Sequence, residues 1–297
     1  MEKVNGAPDP AAGAHPGSRR RVTRHGGRGY LSSMDLAFRE LGGDGPPVVI
    51  LHGLFGSSQN WAGIGKRLAA FGRVFAVDVR NHGDSPHARP HSLAACVGDL
   101  RDWTALHAPP PLRLIGHSMG GLIAMAFALG HPGLTAGVAS VDIAPRPYPP
   151  DHQKELRALR TDIAAYATRP ALDALLAPVL PDQRERQFLL TNAVRDGHGF
   201  RWRIDGEILA ESTVSGDFAS VTGRYHGEAL LVACGRSPYV GAGDEAAMRR
   251  FFPGARLAAL PTADHWPNVS APDALAAVLG EFLSRCNNGS ARASETV

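Results

Sequence analysis

Short runs of apolar residues alternate with segments of helical spacing along most of the chain. The strongest runs are Pro47–Leu51, Arg73–Asp78, Leu112–Gly116, Gly137–Asp142 and Ala229–Gly235, and Arg256–Leu260 is a weaker sixth. Their length and their β-branched residues favour buried strands. Helical spacing is found in Trp61–Phe71, Leu93–His107, Met119–Leu129 and Pro272–Arg285. Buried strands separated by helices predict an α/β fold, a mostly parallel, doubly wound sheet with helices on both faces.

Residues 146–228 interrupt this alternation. They contain several polar and amphipathic helical patterns and no clear buried strand. A segment of this size between two strands of a sheet is a common place for a lid over a functional site. We therefore expect one domain over residues 30–286, with a helical lid insertion at about residues 146–228.

Composition separates two tails from this domain. Residues 1–29 are rich in Gly, Ala, Pro and Arg and predict a disordered basic tail, and residues 287–297 predict a second disordered tail. The formal net charge is +3, and residues 1–30 hold six basic residues against two acidic ones. Because the excess positive charge lies in the tail, we expect no nucleic-acid partner for the folded domain.

The chain lacks the apolar segments that membranes require. No run of about 18 apolar residues is present, so we expect no stable membrane insertion. The N-terminus also lacks the apolar stretch of a secretion signal. The three cysteines, Cys96, Cys234 and Cys286, show no CxxC spacing, which favours thiols in a reducing compartment. We therefore expect a cytoplasmic protein, and the sequence does not indicate its oligomeric state.

The strongest chemical signal is Gly116-His117-Ser118-Met119-Gly120, which follows a predicted strand and opens a predicted helix. It matches G-x-S-x-G, in which a tight strand-to-helix turn presents the serine at the carboxyl edge of the sheet. Ser118 is therefore the candidate nucleophile. Met119 offers a backbone N–H at a helix N-terminus, where negative charge is stabilised. That N–H is a candidate donor to the oxyanion of a tetrahedral intermediate.

A second oxyanion donor is expected in the loop after the first buried strand, His52-Gly53-Leu54-Phe55-Gly56-Ser57. The backbone N–H of Leu54 is preferred, with Phe55 as the alternative. His52 and Phe55 in this loop, together with Trp266, are candidate substrate contacts. From the insertion, Phe188, Trp202 and Tyr148 are further candidates to line an acyl pocket.

His265 is the candidate general base. It lies in a loop after the last predicted strand, which agrees with the chain order nucleophile, acid, histidine of α/β-hydrolases. The acid that orients it has two candidates. Asp142 ends the strand after the nucleophile helix, at the catalytic edge of the sheet, and is preferred. Asp244 lies at a predicted helix start, where a capping role suits it better, and stays the alternative.

A polar segment, Asp78-Val79-Arg80-Asn81-His82-Gly83-Asp84-Ser85, follows the second predicted strand. Such a cluster invites interpretation as a metal site. A tight, hydrogen-bonded turn below the pocket is the preferred interpretation, because Asn, Gly, Asp and Ser are the residues that such turns use. No metal and no cofactor are expected.

Several longer motifs resemble those of the YbfF-type esterases, a branch of the α/β-hydrolases, over about residues 35–284. They are His52-Gly53-Leu54-Phe55-Gly56-Ser57, Asp78-x-Arg80-Asn81-His82-Gly83-x-Ser85-Pro86, Gly116-His117-Ser118-Met119-Gly120-Gly121, Val141-Asp142-Ile143-Ala144-Pro145, Arg186-Gln187-Phe188-Leu189-Leu190, Gly235-x-Ser237-Pro238-Tyr239-Val240 and His265-Trp266. The resemblance implies hydrolysis of short-to-medium acyl esters, in some members of acyl thioesters, and it implies that the acid is Asp142. The chain departs from the family at Leu122, where members commonly have Lys, and at Asp264, where they commonly have Gly.

These observations together predict a serine hydrolase that cleaves carboxylic esters or thioesters of small acyl substrates through an acyl-enzyme on Ser118. A cofactor-free lyase or perhydrolase that uses the same triad is one alternative, because one fold hosts many reactions. A ligand-sensing receptor with vestigial hydrolysis is the other.

Overall fold

The structure, a computed structural model, describes residues 34–294, with only the backbone described for residues 289–294. The basic tail predicted for residues 1–29 lies outside the described residues. Within them the strands are β1 Phe38–Gly42, β2 Pro47–Leu51, β3 Arg73–Val77, β4 Leu112–His117, β5 Thr135–Val141, β6 Ala193–Asp196, β7 Gly199–Trp202, β8 Glu228–Cys234 and β9 Arg256–Leu260. One sheet of seven strands has the order β1-β3-β2-β4-β5-β8-β9. β1 is antiparallel to β3, and the other neighbouring strands are parallel.

Helices follow most of these strands. They are α1 Ala62–Leu68, α2 Leu93–His107, α3 Met119–Gly130, α4 Gln153–Leu159, α5 Arg169–Leu176, α6 Gln183–Leu190, α7 Gly206–Ala210, α8 Val214–Asp217, α9 Asp244–Phe251, α10 Pro267–Ser270 and α11 Pro272–Ser294. Short 3₁₀ segments occupy Ser58–Trp61, Ala69–Phe71, Pro132–Leu134 and Phe218–Ser220. No helix in the described part of the chain combines the length and the apolar character that crossing a bilayer requires.

The predicted α/β fold is confirmed. All six predicted strands are present in the parallel part of the sheet, and β2 and β9 have the predicted bounds. The prediction missed β1, the antiparallel edge strand. None of its five residues is buried, so β1 shows neither an apolar run nor a clean alternation.

The insertion (residues 146–227) differs from its helical prediction in one respect. It contains helices α4 to α8, but β6 and β7 also form an antiparallel hairpin within it. Val194, Arg195, Asp196, Arg201 and Trp202 of the hairpin are exposed or only half-buried. The hairpin therefore lacks the continuous apolar run from which a strand is predicted.

The last helix is longer than predicted. The sequence predicts an end at Arg285 and a disordered tail from residue 287, whereas α11 continues to Ser294. No proline interrupts this segment, and alanine and arginine support helix formation. Asn287 also accepts a hydrogen bond from the Nη1 atom of Arg113, at 2.5 Å, which ties the extension to β4.

The apolar side chains form three clusters. Two of them lie on the opposite faces of the sheet, one with α2 and α3 and the other with α1 and α11. The third is built from the insertion between Leu156 and Leu209, and it includes one residue from the loop after β2, Phe55. The insertion and the loop over the catalytic edge therefore share a core.

A buried ion pair holds the segment after β3. The guanidinium of Arg80 donates to Asp99 on α2 through Nε at 2.6 Å and Nη2 at 2.7 Å, and its Nη1 donates to the carbonyl of Pro90 at 2.8 Å. Both side chains are less than a tenth exposed. Breaking such a pair is costly because the remaining charge stays buried without compensation.

Replacing Arg80 with Met is expected to lower the free energy of unfolding by about 3 kcal/mol, because Asp99 loses its partner in a buried position. Arg89→Met is the matched control, because Arg89 makes the same two-bond contact with Glu211 while both side chains are more than half exposed. We expect a much smaller loss there, since water screens the exposed pair. Urea unfolding at pH 7 measures both, and equal losses would contradict the interpretation.

Candidate active site

Ser118 occupies a strained turn between β4 and α3. Its backbone has φ 50° and ψ −122°, a combination that non-glycine residues rarely adopt. The turn is tight, because a Cβ added to Gly116 would collide with the carbonyl oxygen of Gly120. The N–H of Ser118 donates to the carbonyl of Val141 on β5 at 3.0 Å. The serine is thus held at the carboxyl edge of the sheet, where the sequence motif placed it.

His265 connects Ser118 to Asp142. It lies in the loop between β9 and α10, and its Nδ1 is 2.7 Å from Oδ2 of Asp142. Its Nε2 is 3.2 Å from Oγ of Ser118. Because a carboxylate only accepts hydrogen bonds, Nδ1 carries the proton and Nε2 is free to accept the serine hydroxyl. The three residues named from the sequence therefore form one hydrogen-bonded row.

Asp142 is fixed by the two strands beside it. The residue follows β5, has φ 54° and is fully buried. Its N–H donates to Val232 on β8 at 2.8 Å, and its Oδ1 accepts the N–H of Cys234 at 3.1 Å. Both carboxylate oxygens are thus hydrogen-bonded, one to the backbone and the other to His265.

Asp244, the alternative acid, is engaged elsewhere. It begins α9, its Oδ1 accepts from Nε of Arg146 at 2.8 Å, and its Oδ2 accepts the N–H of Gly241 at 2.9 Å. The helix-start position predicted for Asp244 agrees with the structure. The described contacts of His265 lead to Asp142 instead.

The loop after β2 lies against Ser118. A Cβ added to Gly53 would be 3.1 Å from Cβ of Ser118, so only glycine lets this backbone approach so closely. Within the described residues, the N–H groups of Leu54 and Met119 have no hydrogen-bond acceptor. The N–H of Phe55 donates to Nε2 of His82 at 3.1 Å and is therefore occupied. Of the two loop donors considered from the sequence, Leu54 is the one left available.

A sequence model of the family described as alpha/beta hydrolase fold matches residues 46–272. The chain belongs to the α/β-hydrolase family. It is 34% identical over 266 residues to the sn-1-specific diacylglycerol lipase ABHD11 of Mus musculus, which covers 86% of this chain and 87% of that protein. The esterase YbfF of Escherichia coli is 29% identical over 245 residues, which are 80% of this chain and 93% of that protein. The resemblance drawn from the motifs is thereby confirmed.

A solved structure extends the comparison to three dimensions. A marine microorganism esterase superposes on this chain with a TM-score of 0.79 and 32% sequence identity. The match covers 84% of this chain and all of that one. The fold of most of this chain therefore has a counterpart in a solved esterase structure.

In this α/β-hydrolase two unpredicted residues hold His265 in place. The ring of Tyr239 stacks on the imidazole with centroids 4.1 Å apart and an angle of 22° between the planes. The Nε2–H of His117 donates to the carbonyl oxygen of His265 at 2.7 Å. Both residues lie in sequence motifs, Gly116–Gly121 and Gly235–Val240, but a motif does not show which way a side chain points.

A cavity of about 500 Å³ opens above Ser118. Its lining includes the apolar and aromatic residues Leu54, Phe55, Phe188, Leu189, Tyr239 and Trp266 and the charged residues Asp151, Lys154, Glu155, Glu185, Arg236 and Asp264. Burial and the nearby carboxylate of Glu155 raise the pKa of Glu185. The lining of the cavity therefore combines apolar side chains with charged ones, most of them acidic.

The residues predicted to contact substrate line two different cavities. Phe55 and Trp266 line the catalytic cavity, as does Phe188 of the insertion. His52 instead lines an adjoining cavity of about 430 Å³ and is only 1% exposed. Its Nδ1–H donates to the carbonyl of Gly53 at 2.8 Å, and its Nε2 accepts the N–H of Val79 at 3.0 Å. Both ring nitrogens are thus bonded to the backbone, so His52 supports the loop after β2, and its contact with a substrate stays a prediction.

Two other aromatic residues named for the acyl pocket lie away from it. Trp202 lines a separate surface cavity, and its Nε1–H donates to the carbonyl of Thr161 at 3.0 Å. The hydroxyl of Tyr148 donates to the carbonyl of Tyr239 at 2.9 Å and accepts the N–H of Ala144 at 2.9 Å. Tyr148 therefore braces the loop that carries Tyr239.

Leu122 and Asp264, the two residues that depart from the pattern of the YbfF-type esterases, lie in different environments. Leu122 is buried in the core cluster on the α2 and α3 face of the sheet. Oδ2 of Asp264 accepts from Nη1 of Arg184 on α6 at 2.8 Å, and Oδ1 accepts the N–H of Trp266 at 2.9 Å. Asp264 therefore links the His265 loop to the insertion.

The segment after β3 is a hydrogen-bonded turn. Oδ1 of Asp78 accepts the N–H of Ser58 at 2.6 Å, and Oδ2 accepts the N–H of Asp84 at 2.9 Å. Over residues 34–294, no group of three or more His, Cys, Asp or Glu side chains is arranged to hold a metal ion. The segment thus has the contacts of a turn that supports the loop above it.

Four buried histidines are kept neutral by their surroundings. Burial lowers the pKa of His52 to about 4 and those of His82, His91 and His117 to about 3. Neighbouring imidazoles lower them further, since the His52 and His82 rings have centroids 5.1 Å apart. Burial of a charged imidazole is unfavourable, so these rings serve as neutral donors and acceptors.

The free energy of unfolding should therefore decrease as the pH is lowered from about 6.5, because histidines of the unfolded chain take up protons in that range. In the folded chain these four rings stay neutral down to pKa values of about 3 to 4. The unfolded state then binds more protons, which lowers the free energy of unfolding by up to about 1.4 kcal/mol per pH unit for each histidine. Urea unfolding at pH 7, 6 and 5 measures the slope.

His91→Asn provides the comparison, because it removes one of the four titrating groups and should reduce that slope by about one proton. A free energy of unfolding that stays constant between pH 7 and pH 5 would contradict the prediction, because it would show that the unfolded state takes up no more protons than the folded state.

Proposed function

We propose that this chain hydrolyses carboxylic esters or thioesters of small acyl substrates through an acyl-enzyme on Ser118. The observation that carries the proposal is the position of His265, hydrogen-bonded to Asp142 through Nδ1 and to Ser118 through Nε2. This arrangement matches a base that activates a serine and an acid that orients the base. The esterase and lipase names of the similar proteins support the same class of reaction.

In the first step Oγ of Ser118 attacks the acyl carbonyl carbon while its proton moves to Nε2 of His265. The carbonyl oxygen becomes an oxyanion, and the N–H groups of Leu54 and Met119 are the proposed donors to it. Asp142, buried and hydrogen-bonded to Nδ1, stabilises the imidazolium that forms.

Collapse of the tetrahedral intermediate breaks the bond to the leaving alcohol or thiol, which takes the proton from His265. Water then attacks the acyl-enzyme with His265 again acting as the base. The second tetrahedral intermediate releases the carboxylic acid and restores the Ser118 hydroxyl. Neither step calls for a cofactor.

The cavity above Ser118 suits acyl groups of limited size. Its volume is about 500 Å³, within the usual range for small-molecule sites. Phe55, Phe188 and Trp266 provide apolar surface for an acyl chain next to the nucleophile. The volume and the apolar lining of this cavity therefore favour small acyl substrates.

Ser118→Ala is expected to lower turnover of p-nitrophenyl butyrate by about a thousandfold or more, because the nucleophile is lost. Labelling by a fluorophosphonate probe should disappear with it. Ser284→Ala is the matched control, since Ser284 lies on α11, far along the chain, and its hydroxyl donates to the carbonyl of Gly280. Turnover that persists in Ser118→Ala would refute the proposal, and tight binding of the ester without turnover would favour the receptor.

Asp142→Asn is expected to lower kcat on the order of 10³- to 10⁴-fold, because an amide no longer fixes the tautomer of His265. Asp244→Asn should change kcat by only a few-fold, since Asp244 is paired with Arg146. Steady-state kinetics on the same ester compares the two variants. Equal, mild losses would defeat the assignment of Asp142 as the acid.

A further inference from the structure

The Phe55 residue of the loop after β2 is held at both of its backbone polar groups. Its N–H donates to Nε2 of His82 at 3.1 Å, and its carbonyl accepts from Nδ2 of Asn192 at 2.8 Å. His82 follows β3 in the body of the protein, whereas Asn192 follows α6 in the insertion. Phe55 also has φ 61°, in the left-handed region that side chains disfavour. An unfavourable backbone conformation is thus maintained from two sides.

The orientation of the Asn192 side chain is determined by its acceptors. Nδ2 faces two carbonyl oxygens, that of Phe55 at 2.8 Å and that of Leu189 at 3.3 Å. A flipped amide would bring its own oxygen against both carbonyls, so the nitrogen must point to Phe55.

Asn192 is a polar side chain in apolar surroundings. The residue is fully buried, and within the described part of the chain its Oδ1 has no hydrogen-bond partner. Its neighbours Leu189, Leu190 and Ala193 belong to the apolar cluster of the insertion. The two hydrogen bonds from Nδ2, to the carbonyls of Phe55 and Leu189, are therefore the contacts that an apolar residue of similar size could not make here.

Two rigid peptide planes connect Asn192 to the proposed oxyanion donor. The carbonyl of Phe55 shares a peptide plane with the N–H of Gly56, and that N–H donates to the carbonyl of Gly53 at 3.0 Å. The carbonyl of Gly53 in turn shares a plane with the N–H of Leu54. In a trans peptide the two groups point in opposite directions, so the hydrogen bond accepted by Gly53 aims the N–H of Leu54.

The same chain of bonds also affects the strength of the donor. Hydrogen bonds in series polarise one another, by about 10–30% per bond. The amide of Asn192, the Phe55–Gly56 peptide and the Gly53–Leu54 peptide form such a series. His52 reinforces its last member, because its Nδ1–H donates to the carbonyl of Gly53.

We propose that Asn192 is a positioning residue for the oxyanion hole, so that contact of the insertion with the loop after β2 orients the N–H of Leu54. The inference rests on the proposed function of that N–H. The insertion then contributes to transition-state stabilisation as well as to the walls of the cavity. His82, which holds the intervening Leu54–Phe55 peptide, fixes the other side of the same loop.

Asn192→Leu tests the proposal, because leucine has a similar volume and lacks the donor. Removing a direct oxyanion donor costs about 10²- to 10³-fold in kcat, and an indirect support should cost less, on the order of 10- to 50-fold. KM should change by less than threefold. The affinity for a boronic acid that mimics the tetrahedral intermediate should fall by the same factor as kcat.

Trp202→Phe is the matched control. It removes another hydrogen bond of the insertion, the one from Nε1 to the carbonyl of Thr161, and Trp202 does not line the catalytic cavity. We expect its kcat and its boronic acid affinity to stay within about twofold of the unmodified chain. If Asn192→Leu behaves like this control, or loses only stability in urea, the proposal is overturned.

Hydrogen exchange separates this proposal from that of the esterase activity. The amides of Phe55 and Gly56 should exchange faster in Asn192→Leu and be unaffected in Trp202→Phe. Unchanged exchange in Asn192→Leu would refute the positioning role, whatever the enzyme acts on. Absence of Ser118-dependent ester turnover in the unmodified chain would instead refute the proposed function while the exchange result still decides whether Asn192 holds the loop.

Discussion

The negative charge of a fully buried carboxylate must be compensated by hydrogen-bond donors or a positive charge. The arrangement of the site around Asp142 follows from that requirement. The charge is met by the N–H of Cys234 on β8 and by the imidazole of His265. Because an unpaired buried charge is strongly unfavourable, each of these partners is held in a narrow range of positions. The loop of His265 is thereby drawn to the end of β5, and its second ring nitrogen comes to face Ser118. Tyr239 and His117 then limit how far the ring and its backbone move.

The carboxyl edge of the sheet also concentrates backbone strain. Phe55, Asn81, Ser118 and Asp142 all have positive φ, and each follows the end of a parallel strand or lies in the loop after it. Strained residues persist only where the surrounding structure determines them from several directions. Here the parallel strands provide fixed ends. The N–H groups of Phe55 and Asp142 donate to His82 and Val232, and the carbonyl of Phe55 accepts from Asn192. Strain and the proposed chemistry thus lie along one edge.

The sequence predicts the parallel part of the fold well, because strands buried on both faces appear as unbroken apolar runs such as Pro47–Leu51. It misses β1 and the β6–β7 hairpin, whose residues are partly exposed and carry no such run. Chain order led to Ser118, His265 and Asp142, and their catalytic roles stay predictions. The hydrogen bonds of His52 to Gly53 and Val79 could not be predicted, since the direction of a side chain depends on tertiary contacts. Asn192 had no signal at all, because only folding brings it to a residue 137 positions away.

The ring of Phe55 lies in the core of the insertion although its backbone belongs to the loop after β2. The apolar core of the insertion therefore includes a residue, Phe55, that lies outside the insertion in the sequence. An insertion transplanted from a relative to alter acyl preference would meet a foreign side chain at this point in its core. A chimera that receives the insertion of a relative should therefore also receive that relative's residue at position 55.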